Sequence, residues 1–437
     1  MKLSRFNVLQ NIDGVNIFFN SKTCALAIVD DNFMQIWNDV VNEKYDESKY
    51  APQLIDSMKS SGCLIENKTD ELQEIQFYRN IQKYDMTSLG LTIAPTLDCN
   101  FRCKYCFENH QHGFMSEKIQ SSLINFVQRR IENIKHLSVN WYGGEPLLSK
   151  NIVYNLSENF LKLCTKYQVE YSAFIITNAS LLTDNDIKRF KKYKIQGAQV
   201  TIDGPKEVHD SRRISCNGKS TFDLLINNVN KLLNAGINVI IRINIDKENI
   251  GKIDELLQIL KDKIIRKDQV RIDFGKVTAF TEACKSIESE CFDNDEYADL
   301  LLPLYGKVMA YGFIMNKMAI YPSPRYNYCC ADYANSFVID TLGNIHKCWN
   351  YVGMDSEKCG ELNSDKETLN SKYYDWINWN PLQSEKCQEC NLLPICMGGC
   401  PDAARNNADK QSTCDAIRYN LREVIKYYYN QLKGGEK

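Results

Sequence analysis

The chain predicts an α/β protein: a partial parallel barrel, with a small unit in front and a cysteine-rich unit behind. Three observations carry that class. From about residue 89 to 274 short apolar strands alternate with helical spacing, the mark of parallel βα units. Strands are expected at 91–95, 137–142, 170–177, 197–202, 238–245 and 269–274, with helices near 116–133, 149–166, 183–193, 220–235 and 249–262. Six strands are too few to close an eight-stranded barrel. In the front stretch, Val15–Phe19 and Thr23–Val29 read as strands around the turn Asn20–Lys22. Helical spacing follows over Phe33–Val41 and Ala51–Ser60, and Cys63–Ile65 reads as a returning strand, the outline of a winged-helix-like module. The third observation is cysteine: eighteen in 437 residues, eleven of them in two groups. The expected domains are therefore 1–80, 87–275, a bridge of mixed helix and loop over 276–325, and 326–437.

With 44% apolar and 25% charged residues and a net charge of −2, the composition is that of a soluble globular protein with no general attraction to nucleic acid or anionic membrane. No apolar core of signal-peptide length opens the chain, and no run of about 18 apolar residues exists to span a bilayer. Leu300–Met315 is interrupted by Pro303, Lys307 and Gly312 and reads as a buried helix. A cytoplasmic location is expected, with neither nucleic acid nor membrane as partner. A reducing cytosol disfavours disulfides, so clustered cysteines there point to metal or redox chemistry. The scattered ones (Cys24, Cys63, Cys164, Cys216, Cys284, Cys291, Cys359) read mainly as small buried hydrophobes.

The chemistry centres on Leu91–Glu108, a strand running into a loop with Cys99, Cys103 and Cys106 at C-x3-C-x2-C spacing. Three thiolates hold three corners of a [4Fe–4S] cluster and leave one iron for another ligand. A zinc knuckle, which pairs two C-x-x-C or C/H elements, fits less well. After the second strand comes Trp141-Tyr-Gly-Gly-Glu-Pro146, where two glycines let a ligand approach the backbone. The third strand ends in Thr177-Asn178; the fourth in Thr201-Ile-Asp-Gly-Pro205, followed by His209-Asp210 and Arg212-Arg213; the fifth in Arg242-Ile-Asn-Ile-Asp246. Barrels of this kind carry their chemistry at the carboxyl ends of the strands, where all these motifs fall. The tail has Cys329-Cys330, Gly343-Asn-Ile-His-Lys-Cys348 as a hairpin, then Cys387-x2-Cys390-x5-Cys396-x3-Cys400 and Cys414. Two adjacent zinc ribbons are the plainer account of that tail.

Together these residues resemble the radical SAM enzymes that carry a SPASM domain. The resemblance implies a partial (β/α)6 TIM barrel in which Cys99, Cys103 and Cys106 hold a cluster that binds S-adenosylmethionine (SAM) and cleaves it to methionine and a 5′-deoxyadenosyl radical. It implies that Gly143, Gly144, Glu145 and Pro146 bind the SAM amino group, and that Thr201 and Arg213 contact SAM, the arginine through its carboxylate. Arg212 is the other candidate for that contact. Asn178 meets the ribose or carboxylate, and Tyr105 lies beside the adenine or packs against the barrel. In the tail it implies two auxiliary clusters, three [4Fe–4S] in all. One lies on Cys387, Cys390, Cys396 and Cys414; the other uses Cys348, Cys400 and Cys329, Cys330 or both.

The front module resembles a RiPP recognition element, which grips a leader peptide as an added strand; a plain oligomerisation or covering domain is the other reading. The expected enzyme is an oxidative maturase of the sactipeptide or ranthipeptide type. It would install a thioether, Cys sulfur to acceptor carbon, in a Cys-rich ribosomally made precursor peptide with a leader, fed by a flavodoxin or ferredoxin-type reductant. An anaerobic sulfatase-maturing enzyme, making formylglycine, is the runner-up, but that family has an Asp base directly after the cysteine matched by Cys348, and here it is Trp349. Carbon–carbon crosslinking or epimerisation stays open. A non-catalytic iron–sulfur electron carrier leaves Gly143–Pro146 and Thr201–Arg213 unexplained.

Overall fold

The computed structural model describes residues 1–315, 321–364, 366–406 and 414–434. The front unit starts with β1 (Lys2–Leu3) and an antiparallel meander of β2 (Asn7–Ile12), β3 (Val15–Asn20) and β4 (Ala25–Val29). Two helices follow, α1 (Asp31–Val41), capped by the Asp30 side chain accepting from Phe33 N–H, and α2 (Pro52–Ser60), which has proline in its first turn. β5 (Leu64–Ile65) returns to pair with β1. Phe18, Phe33, Ile36, Ile55, Met58, Cys63 and Leu64 form a small core of the unit's own. A second face, Ile12, Ile17 and Phe19, packs on Leu392, Ile395, Leu421, Ile425 and Tyr429 of the tail.

α3 (Glu71–Lys83) has no counterpart among the sequence expectations. Its inward face is Glu71, Ile75, Arg79 and Lys83, four-residue spacing made mostly of charge, so apolar periodicity is silent there. Each buried charge has partners, as it must. Glu71 accepts from Ser4 Oγ at 2.6 Å and Arg5 N–H at 2.9 Å. Arg79 donates to Asn327 Oδ1 at 2.7 Å and lies 3.4 Å from Asp332, and Lys83 donates to the Trp379 carbonyl at 3.0 Å. The helix thereby bolts the front unit to the cysteine tail.

The barrel runs β6 (Ser88–Ile93), β7 (Phe101–Cys103), α4 (Glu117–Gln128), β8 (His136–Trp141), α5 (Lys150–Tyr167), β9 (Glu170–Thr177), α6 (Asp184–Lys192), β10 (Ile195–Thr201), α7 (Lys206–Arg212), β11 (Arg213–Ser215), α8 (Phe222–Asn234), β12 (Asn238–Ile245), α9 (Ile253–Lys263), β13 (Val270–Lys276), α10 (Asn294–Ala310) and β14 (Ile314–Met315). β15 (Ser336–Ile339), β16 (Asn344–His346), β17 (Gly360–Glu361) and β18 (Thr368–Leu369) extend the same sheet. Its order is β14-β13-β12-β10-β9-β8-β6-β15-β16-β17-β18, parallel from β14 to β15 and antiparallel beyond. The first expected strand, 91–95, in fact begins at Ser88 and stops before Pro95, which has no N–H for the ladder. Six strands become eight in the parallel run, because β14 and β15 add to its ends. Two-residue β14 has no readable period, and β15 had been expected only as part of a tail hairpin.

Alternate residues of β12, Val239, Ile241, Ile243 and Ile245, are buried, while Arg242 and Asn244 occupy the other, more open face. That polar inner face at the carboxyl ends of the strands positions the site. No helix of the described residues is long and apolar enough to cross a membrane.

Candidate active site

β6 delivers the chain at its carboxyl end into the cysteine loop. Within that loop β7 pairs antiparallel with β11, which sets Cys103 opposite Arg213. Cys99, Cys103 and Cys106 line one cavity together with Tyr105, Gly143, Gly144, Asn178, Thr201 and Arg213. Burial raises all three thiols, Cys106 to about 12, and the Arg213 guanidinium pulls each back toward thiolate. Three soft donors converging beside a cation suit an iron–sulfur cluster with one position left open.

The two glycines are required by how closely the loop approaches. At Gly143 φ is +103°, and a Cβ would sit 2.9 Å from Ala94 Cβ and nearer still to the Thr96 carbonyl oxygen. On Gly144 a Cβ would meet the Asp98 carbonyl carbon at 2.6 Å and the Leu97 carbonyl oxygen at 2.7 Å. Gly144 N–H donates to Thr96 O at 3.3 Å and Glu145 N–H to Asp98 O at 2.9 Å, so the turn cradles the loop through its backbone.

Glu145 and Pro146 follow the two glycines but do not line the cavity with them. Pro146 is buried at the start of a 3-10 turn. The fully buried Glu145 carboxylate accepts from Leu147 N–H (2.9 Å), Thr177 Oγ1 (2.7 Å) and Asn178 N–H (2.7 Å). Its backbone faces the loop, so its side chain turns into the sheet and ties the end of β8 to that of β9. Asn178 then reaches back, its Nδ2 donating to Asn100 Oδ1 at 2.8 Å and lying 3.9 Å from Cys99 Sγ.

Of the two arginines, Arg213 is the one on the cavity. The Tyr105 hydroxyl donates to Asp203 and accepts from Arg213 Nη1 at 2.7 Å and Asn244 Nδ2 at 3.3 Å. Burial disfavours the charged guanidinium, but Cys103, Tyr105 and Asp203 outweigh it and keep Arg213 cationic. Its buried Nε has no partner, an unused donor for an anionic group. Arg212 is committed elsewhere, in a bidentate pair with Asp246 at 3.0 and 2.7 Å and a contact to Glu248 at 2.8 Å.

Several groups at the site had been given no role. Glu108 and His110 also line the cavity, and Glu108 Oε2 and His110 Nδ1 are buried without partners. Burial pushes the Glu108 carboxyl up to about 7 against the hydrogen bond from Tyr142, and pulls His110 below its usual value. Their only signal was position, two and four residues beyond Cys106. Asp203 stands in a strand-end motif with no role assigned from the sequence, whereas Asn244 belongs to the Arg242–Asp246 segment whose polar residues are expected to border the cofactor.

Electrostatic influence links Cys348 with Cys400 and Cys330, and Cys414 with Cys387, Cys390 and Cys396. Burial, then Asp402, Cys400 and Cys330, hold the Cys348 thiol above its ordinary value. Cys329 and Cys330 share a side-chain hydrogen bond that leaves Cys330 the readier thiolate. In the second group Cys414 feels Cys387 and Cys390, and Cys396 feels Cys414. Trp349, after Cys348, stacks on Tyr142 at 5.9 Å and 22° between planes, so the tail packs on the residue that hydrogen-bonds the cavity-lining Glu108.

An open parallel barrel with three cavity-facing thiols, a glycine cradle and a buried arginine defines a radical SAM domain, and residues 93–260 match the Radical SAM superfamily. That family implies SAM and a [4Fe–4S] cluster, which the thiols and the Arg213 donor fit. The chain is 24% identical to a cysteine-type anaerobic sulfatase-maturating enzyme of Clostridium novyi, over 72% of this chain and 88% of that protein. It is 22% identical to the radical SAM cyclopropyl synthase TigE of Paramaledivibacter caminithermalis, over 97% of this chain and 95% of that one. Among solved structures, anSMEcpe with bound AdoMet and Cp18Cys peptide superposes with a TM-score of 0.61 at 20% identity, covering 78% of this chain and 99% of that one. Streptococcus suis SuiB bound to its precursor peptide SuiA gives 0.56 at 17%, covering 95% and 99%.

Proposed function

We propose that the protein is a radical SAM peptide maturase that crosslinks a ribosomally made precursor by removing two hydrogens, with a thioether from Cys sulfur to an acceptor carbon as the bond formed. The observation that carries the reading is one chain holding a radical SAM domain, a front sheet unit and two tail thiol sets. TigE and SuiB align over nearly all of it, front unit included. The sulfatase-maturating alternative is weakened at Trp349, whose ring is stacked on Tyr142 where that family has an acid.

When bound, SAM and its cluster supply hydrogen-atom abstraction and one-electron chemistry. Cys99, Cys103 and Cys106 would hold that cluster and the Gly143–Gly144 backbone the SAM amine. Arg213, steadied by Tyr105 and Asp203, would take the SAM carboxylate, and Asn178 and Thr201 would border the rest. The tail sets would hold two auxiliary clusters. Phe101, Phe107 and Ile176 give the cavity an apolar wall, backed at Phe107 and Ile176 by a buried cluster of Ala94, Leu97, Tyr142, Val338 and Val352, that would keep water from a reacting carbon. Among the described residues β4 pairs only with β3, so its outer edge is open to a leader strand. Carbon–carbon bond formation is the second reading, favoured by the full-length likeness to a cyclopropyl synthase.

The test is mass spectrometry of a candidate precursor, a Cys-rich peptide from any small open reading frame found beside this gene, after anaerobic reaction with reconstituted enzyme. Loss of two hydrogens with a thiol blocked to alkylation supports the thioether. The same loss with every thiol free moves the assignment to a carbon–carbon bond, and a new aldehyde overturns the crosslinking reading.

A further inference from the structure

Lys347, just before Cys348, is 1% exposed, and among the described residues no carboxylate lies within ion-pair distance of it. A buried ammonium without a counter-ion is strongly disfavoured unless something anionic compensates. Its Nζ donates to the Tyr333 carbonyl at 2.6 Å and the Ser336 carbonyl at 2.7 Å. Phe337 and Tyr373 lie around it with ring centroids at 5.6 and 5.5 Å. The Tyr373 hydroxyl donates to Ala334 O at 2.8 Å and closes the same turn. The nearby acid, Asp332, is occupied: it accepts from Tyr328 N–H at 2.8 Å and Cys329 N–H at 3.3 Å and faces Arg79 at 3.4 Å. Burial works against the ammonium, and the groups that favour it are the Cys330 and Cys359 thiols, then Asp332, which its other partners already hold, and the Cys329 thiol.

We propose that Lys347 is a positioning residue for the thiol set Cys329, Cys330, Cys348 and Cys400. Its two carbonyl bonds clamp the Cys329–Cys330 turn to the strand that carries Cys348, and its charge balances the thiolates gathered there. The inference rests on the reading that this set holds an iron–sulfur cluster. Such a cluster with its thiolates is net negative and more so when reduced, so a fixed neighbouring cation stabilises the reduced form and raises the reduction potential. Lys347 then has the anion that the protein side chains do not provide.

The experiment compares full-length wild type, Lys347→Met and Lys347→Gln after anaerobic reconstitution, reading iron per chain, the EPR signal of each reduced cluster, and an EPR-monitored redox titration. Methionine removes clamp and charge; glutamine keeps a donor and removes only charge. The expected result for Lys347→Met is loss of about four irons per chain, with the SAM-dependent EPR change of the barrel cluster retained. For Lys347→Gln the iron is largely kept and the auxiliary midpoint moves to more negative potential. Full iron in Lys347→Met overturns the clamp, and an unmoved midpoint in Lys347→Gln overturns the charge. If both variants also lose the barrel cluster's signal, Lys347 serves the fold at large and the inference is wrong. A wild type that binds iron for the barrel cluster alone sinks the underlying cluster reading instead.

Discussion

Gly144→Ala probes how tightly the cysteine loop is seated on the turn after β8. The new methyl would meet the Asp98 carbonyl carbon at 2.6 Å and the Leu97 carbonyl oxygen at 2.7 Å, where ordinary contact begins at 3.4 Å. The Asp98 carbonyl oxygen lies nearer still; every obstacle is backbone, so no rotamer change relieves them, and the loop has to retreat by about 1.2 Å. Overpacking of this kind costs about 1–3 kcal/mol, and a shift of about 1 Å at a reacting centre costs about 100-fold in rate. Urea unfolding followed by circular dichroism reads the first effect; SAM cleavage and the SAM-induced change in the reduced-cluster EPR spectrum read the second. Gly251→Ala is the control, since a Cβ there has no heavy atom within 4 Å. The expected result is a modest loss of stability, a large loss of SAM response, and a silent control. A Gly144→Ala protein that unfolds and answers SAM like wild type would refute the cradle.

Arg212→Met should destabilise the fold by about 3–5 kcal/mol, because it strands buried Asp246. Arg213→Lys should keep the unfolding midpoint within about 1 kcal/mol while weakening SAM binding by about tenfold or more, as isothermal titration would show; equal effects from both would contradict their separate assignments. His209 is fully buried, and burial followed by the Arg213 charge pulls it down to about 3. The unfolded chain therefore binds a proton that the native state refuses as pH falls below about 6.5. Stability should drop by about 1.4 kcal/mol per pH unit there, a slope absent from His209→Gln in urea titrations at pH 7 and 5.5. For Glu367, burial would raise the carboxyl, but Arg130 and Arg129 outweigh it and hold it at about 2. Its contribution is complete above about pH 4.3 and lost on acidification toward 2, so Glu367→Gln should flatten the wild-type acid transition in that window.

Legibility tracked the physics of each signal. The alternation of Glu170–Thr177 and Asn238–Ile245 was visible because one face of each strand packs under helices and the other does not. The cysteine loop and the Gly143–Gly144 turn stood out because close backbone approach and soft-metal chemistry tolerate few residue types. α3 was silent because its inward face is built from Glu71, Arg79 and Lys83, whose partners lie up to 300 residues away in the chain. Arg212 and Arg213 are adjacent and alike in composition; only the pairing of β11 with β7 decides which faces the cavity. Glu145 reads as a ligand in a motif, yet its oxygens are consumed by the ends of β8 and β9. Glu108 and His110 belong to no period, and only the folded loop reveals them as cavity walls.

The pairing of β15 with β6, Ser336 opposite Gly90 through Ile339 opposite Ile93, has a consequence for dissecting the molecule. Cutting the chain near residue 325 to isolate the barrel would strip β6 of a neighbour and bare a row of unpaired N–H and C=O groups on an apolar strand. Such a fragment is set to stick to its own copies, so the catalytic half and the thiol-bearing half must be inherited, expressed and purified as one piece.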